Sequence, residues 1–294
     1  MNRVLAIALA LLASAATAAE RPVVAAVNYP LAYFAERLGG DAVEVLFPVP
    51  ADRDPAFWRP KLAEIAAIQQ ADVIALNGAG YAGWTTKASL PRSRVANTSA
   101  AFKSAYIETE TITHSHGEDG EHSHEGIATH TWLDFSLAAR QAEALAAAMR
   151  RRAPELADQI EAALPELLAD LKALDDAARD AGAALDGASI IATHPRYQYL
   201  ARAYRMNIRS LEWEAGAAPT AAQWDELEAL SARTGASVLI WEAEPPKEAR
   251  ERAAALGLRD AVVPALANKP DGTDFVSAMR ASLKALTDLA EESE

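Results

Sequence analysis

The chain has no cysteine, six histidines among 294 residues, and fewer basic than acidic side chains. Without cysteine there is no disulfide framework and no thiol chemistry, and no lipid-anchored amino terminus is expected. Lys and Arg number 28 against 41 Asp and Glu, a formal charge of −13 that becomes −14 once Arg3 is lost with the leader described below. Nucleic acid demands clustered Lys and Arg, so it is excluded as a partner. Also missing are an H-E-x-x-H pair, a nucleophile elbow and a phosphate-cradling glycine loop, so the chain is not expected to be an enzyme. No segment after the first residues is apolar for long enough to span a bilayer.

What the first residues do contain is the order of a secretory signal: one charge at Arg3, a short apolar run, and small residues at Ala16 and Ala18. Residues 1–18 are therefore read as a cleavable signal peptide, and the mature protein as soluble and periplasmic in a bacterium with two membranes. Roughly 275 residues remain, ample for two lobes.

Apolar runs alternate with helical periodicity along this remainder. VVAAV (23–27), VEVLFPV (43–49), DVIALNG (72–78) and RVANTS (94–99) read as strands, with helices at 30–40 and 61–71 between them. From Ser136 to about Leu185 the composition turns to Ala, Leu, Glu, Asp and Arg, which predicts helix. Pro154 suits the first turn of a second helix. Pro165 is expected to kink that helix or begin another. The alternation then resumes, with strands at 188–194, 207–213, 237–242 and near 261–265. Helices fall at 195–204, 221–234, 246–256 and about 274–291. Strands and helices taking turns imply mostly parallel sheets. The fold class is thus α/β: two βα lobes joined by a long helix, with the binding site in the cleft between them. The divisions are a lobe over 19–134 carrying a mobile His-rich loop at 113–126, a helical connector over 135–186, and a second lobe over 187–294.

Five of the six histidines crowd into THSHGEDGEHSHEGIATHTWLD, residues 113–134. His114, His116, His122 and His124 form two H-x-H pairs among carboxylates and glycines, a composition suited to collecting divalent metal on a segment that builds no core. His130 opens the second half of the molecule, and the isolated His194 follows the strand ASIIAT. In parallel sheets ligands bind beyond the carboxyl ends of strands, which is where His194 and Glu242 stand. Two imidazoles and a carboxylate suit Zn²⁺ or another borderline divalent ion. Trp213, Trp224 and Trp241, near strand and helix ends, are expected to pack as core.

These motifs resemble the zinc- and manganese-type solute-binding proteins of bacterial ABC importers (cluster A-I, ZnuA-like) over essentially the whole mature chain. The resemblance is carried by DPAFWRP (54–60), QQADVIALNG (69–78), HTWLD (130–134), THPRYQY (193–199) and the glutamate in LIWEAEP. It implies a periplasmic carrier that captures Zn²⁺, or Mn²⁺ or another divalent ion, and passes it as a monomer to a permease in the inner membrane. It implies His130 and His194 as metal ligands, but the family's other two are replaced: Ala56 stands where a histidine belongs and Val263 where an aspartate does. Glu242 is the first substitute, with Glu244, Asp54 and Glu214 behind it. A second reading is a periplasmic zinc buffer or chaperone in which the loop binds and the cleft is degenerate. A third is a metal-dependent hydrolase using the two histidines, a carboxylate and a bound water.

Overall fold

β-branched and small apolar residues that bury both faces make the central strands of two separate sheets. In the computed structural model, which describes residues 21–109, 113–115, 121–123 and 126–291, the first lobe holds β1 (Val23–Ala26), β2 (Glu44–Leu46), β3 (Val73–Leu76) and β4 (Val95–Asn97). They pair in the order β2-β1-β3-β4, every pair parallel. The second lobe holds β7 (Ser189–Ala192), β8 (Asn207–Ser210), β9 (Val238–Trp241) and β10 (Arg259–Val262), in the order β10-β9-β7-β8, again all parallel. Numbered within its own lobe, each sheet has the same order, so the two halves repeat one topology. The signal segment 1–18 lies outside the described residues, as do His116 and His124.

The helices are α1 (Tyr29–Gly39), α2 (Leu62–Gln70), α3 (Phe135–Arg152), α4 (Ala157–Ala184), α5 (Gln198–Tyr204), α6 (Ala221–Thr234), α7 (Lys247–Ala255) and α8 (Phe275–Glu291). Pro154 opens a 3₁₀ turn between α3 and α4, as its fixed φ suits. Pro165 does not begin a new helix: α4 runs through it for 28 residues. The reason is a fully buried stripe at Ile160, Leu167, Leu171, Leu174, Ala178 and Ala181, which repeats at helical spacing and packs into the main core. Tertiary burial of that face outweighs one missing backbone hydrogen bond.

At about 1.5 Å per residue α4 is some 42 Å long, and it packs against α1 of the first lobe and against α5 and α8 of the second. Where it meets α5 the approach requires Gly182, since a Cβ there would lie 2.2 Å from the Tyr204 carbonyl oxygen. One hydrophobic core therefore passes from lobe to lobe along α4. Trp213, Trp224 and Trp241 form the centre of a second cluster on the far face of the β7–β10 sheet, with ring centroids 5.5 and 5.8 Å apart. Among the described residues no helix is long and apolar enough to cross a membrane.

Candidate functional site

The carboxyl ends of both sheets face a cleft of about 660 Å³ between the lobes. Its walls include Asp54 and Phe57 from the first lobe and His194, Arg196, Glu214 and Glu242 from the second.

His130 sits just before the 3₁₀ turn Thr131–Leu133, and buried polar side chains pin that turn. Asn77, after β3, donates from Nδ2 to the Thr129 carbonyl at 2.9 Å. Its Oδ1 accepts from Asn28 at 3.3 Å and Gln141 at 3.1 Å. Gly78 follows with φ +79°, where a Cβ would strike the Ser99 hydroxyl; this is the physical content of the N-G pair in the sequence. Asp134 caps α3 by accepting from the Ser136 and Leu137 backbone amides at 3.1 and 3.3 Å. Trp132, fully buried, donates from Nε1 to the Ala265 carbonyl of the other lobe at 2.8 Å.

The hydrogen-bond partners set the tautomers of both rings. Arg196 Nη1 can only donate, so His130 Nε2, 3.3 Å away, accepts, and its Nδ1 proton faces Thr129 Oγ1 at 3.1 Å. A carbonyl can only accept, so His194 Nδ1, 2.5 Å from the Trp213 oxygen, carries the proton. Each imidazole is thereby held by its Nδ1 side, and in His130 the lone pair lies on Nε2, where Arg196 donates.

Arg196 is the residue that reading the sequence missed. Its side chain is 8% exposed. Nη2 pairs with Asp54 Oδ2, Nη1 meets His130, Nε lies 3.5 Å from Glu242 Oε1, and the guanidinium carbon is 5.7 Å from the Phe57 ring centre. Burial works against its charge, but Asp54 and Glu242 outweigh this and raise its pKa above the ordinary arginine value. Glu242 responds in the opposite sense: burial pushes its carboxyl pKa up, and Arg196 only partly offsets this. Its Oε2, 3.7 Å from His194 Nδ1, makes no hydrogen bond among the described residues. Tyr81 is also buried here, its ring 5.9 Å from His130, its hydroxyl without a hydrogen-bond partner among the described residues and its pKa driven well up by burial and then by the Asp54 charge.

Of the residues expected from sequence, Asp54 and Glu242 meet on Arg196, Glu242 neighbours His194, and His130 joins them through the guanidinium. Among the described residues no three His, Asp or Glu side chains converge as a ready metal-binding group. Glu214 lines the cleft, whereas Glu244 is 73% exposed and pairs with Arg250 at 3.3 Å. Ala56 is buried, its amide donating to Asp54 Oδ1 at 2.8 Å in a tight turn that aims the carboxylate. Val263 is buried too, and its carbonyl accepts from the Tyr197 hydroxyl at 2.6 Å. In the histidine-rich segment the backbones of β5 (Thr113–Ser115) and β6 (Glu121–Ser123) pair antiparallel, which sets His114 opposite His122. The only sequence signal for Arg196 was its place two residues after His194 in THPRYQY, where a charged side chain starts from a buried strand end.

Comparison with known proteins agrees with this architecture. The chain is 24% identical over 270 residues to the zinc-binding lipoprotein AdcA of Streptococcus pneumoniae, a match covering 88% of this chain and 54% of that one. It thus spans about half the length of that relative. It is 24% identical over 277 residues to the high-affinity zinc uptake system protein ZnuA of Bacillus subtilis, covering 88% and 85% of the two chains. The metal-dependent lipoprotein YcdH of Bacillus subtilis superimposes with a TM-score of 0.76 at 21% identity, covering 92% of this chain and 99% of the other. The periplasmic zinc-binding protein TroA of Treponema pallidum does so with a TM-score of 0.74 at 16% identity, over 92% and 99%. Residues 23–289 match the family model described as zinc-uptake complex component A, periplasmic, and the chain therefore belongs to the ZnuA family.

Proposed function

We propose that this chain is the solute-binding protein of an ABC-type metal importer, which captures a divalent ion, Zn²⁺ first, in the interlobe cleft and hands it to a membrane permease. The family supports the transport role and favours it over hydrolysis. The observation that carries the assignment to the cleft is His194, which lines it, with His130 of the other lobe buried behind it and reached through Arg196. His130 and His194 both anchor Nδ1 on an oxygen, the orienting contact that metal-binding histidines use. Glu242 and Asp54 supply carboxylates beside them. Export through residues 1–18, a periplasmic location and a monomeric carrier belong to the same reading. Because α4 packs against both lobes, capture involves small rocking of the lobes rather than wide closure.

A second reading, a zinc buffer in which the loop dominates, draws on the pairing of His114 with His122 across the β5–β6 hairpin. Zinc titration of four forms of the mature chain separates the two. The forms are the unaltered protein, one with His114, His116, His122 and His124 changed to Ser, a His130→Ala/His194→Ala double variant, and the combination. Transport through the cleft predicts a tight site that survives the loop changes and disappears in the double variant. The reverse outcome would establish buffering instead.

A further inference from the structure

We propose that Arg196 is a specificity-determining residue of this cleft, a tethered cation that occupies the position between His130, Asp54 and Glu242 and must be displaced before a divalent ion can use them. The inference rests on the reading given under Proposed function. It follows from where the guanidinium sits. Each of its three nitrogens faces one member of the expected ligand set: Nη1 the His130 lone pair, Nη2 the Asp54 carboxylate, Nε the Glu242 carboxylate. Phe57 closes one face of it. The lone pair of His130 that a metal needs is the one Arg196 uses.

The charge of the surroundings points the same way. Asp52, Asp54, Glu214 and Glu242 line the cleft, against Arg53 and Arg196. A wall with this surplus of carboxylate attracts cations rather than anions, so Arg196 serves as an internal cation. With its own guanidinium in place, the position between His130, Asp54 and Glu242 already holds a positive charge. Once the guanidinium is removed, His130 Nε2, Asp54 Oδ2 and Glu242 Oε1 lose their shared cation together, beside a Glu242 Oε2 that makes no hydrogen bond among the described residues. The sequence fits this account: the side chain that fills the site enters from the second lobe, while at position 56 in the first lobe the family's histidine is replaced by a buried alanine too small to reach it.

The test uses the full mature chain with His114, His116, His122 and His124 changed to Ser, so that the loop does not report, and zinc chloride in competition with a chromophoric chelator. Arg196→Met should bind zinc at least tenfold more tightly than the same protein with Arg196, and a further His130→Ala change should abolish the gain. Equal or weaker binding by Arg196→Met overturns the proposal, weaker binding meaning that the guanidinium helps to hold the ligand. Zinc binding by neither form overturns both this proposal and the cleft reading. Binding that needs His130 and His194 but ignores Arg196 overturns this proposal alone. Because loss of the guanidinium leaves two carboxylates facing each other, a second measurement needs no change at Arg196. On zinc addition, the side-chain ¹⁵N resonance of Arg196 Nε should shift and His130 Nε2 should change from an arginine-bonded to a metal-bound signal. An Arg196 resonance that stays fixed while His130 takes up zinc is incompatible with displacement.

Discussion

Nη1 of Arg196 lies 3.3 Å from Nε2 of His130, so a side chain from the second lobe is bonded to the first lobe's imidazole across the cleft. The same guanidinium holds Asp54 of the first lobe and neighbours Glu242 of the second. Whatever binds here must negotiate a buried cluster that already links the lobes. Four consequences can be measured apart from ligand binding.

The first concerns Glu242, whose pKa burial raises above its ordinary 4.5. The folded protein keeps that proton longer than the unfolded chain, so between pH 4.5 and the raised value the native state binds more protons. Stability then falls as pH rises through this window. Melting curves of the metal-free protein and of Glu242→Gln should diverge accordingly, the wild type losing ground to the variant as pH rises. A difference independent of pH would refute this account of the carboxyl.

Gly182 limits how closely α4 and α5 can pack. Gly182→Ala puts a Cβ 2.2 Å from the Tyr204 carbonyl oxygen, and backbone cannot yield as a flexible side chain does. The expected loss is about 1–3 kcal/mol of unfolding free energy, as for overpacked cores. Urea denaturation measures it, and an unchanged midpoint would contradict the contact.

Asn268 donates from Nδ2 to the Pro50 and Arg53 carbonyls at 2.7 and 2.8 Å, fastening the turn that carries Asp54 to the second lobe. Asn268→Ala removes both bonds, each worth about 1 kcal/mol net. Hydrogen exchange at the Ala56 amide, which donates to Asp54, should accelerate while amides of β7 and β9 remain protected. Equal acceleration everywhere would mean global destabilisation rather than a loosened turn.

The two flanks of the histidine-rich segment are joined to each other. The Thr109 amide donates to the Gly126 carbonyl at 2.7 Å, and Glu108 bridges Ile127. Replacing residues 110–125 by a short glycine link should therefore shift stability by less than about 1 kcal/mol, the scale on which loop length acts. A large fall in the thermal midpoint would show that the segment supports the lobe.

Strand and helix positions were legible because alternation between short apolar runs and 3.6-residue periodicity does not depend on distant contacts. Pro165 was the exception: local propensity argued for a break, and the buried leucine stripe of α4 decided otherwise. The three tryptophans packed as core, as their surroundings suggested. The motifs also placed His194 and Glu242 just beyond strand ends, since in parallel sheets chain direction alone sends those ends to one side.

What the chain alone could not disclose was which atoms meet across the gap between lobes. Asp54 and Arg196 are 142 residues apart, and their pairing depends on how two similar sheets are set against α4. An arginine read in its motif is only a charged neighbour of a histidine. Once folding buries it, its charge must be answered by nearby carboxylates and an imidazole lone pair. From the chain alone one could read which residue types come near the cleft: His194, Glu242, Glu214 and Asp54. The tertiary structure decided that an internal guanidinium stands between Asp54 and Glu242, because only the packing of one lobe on the other brings those charges within reach.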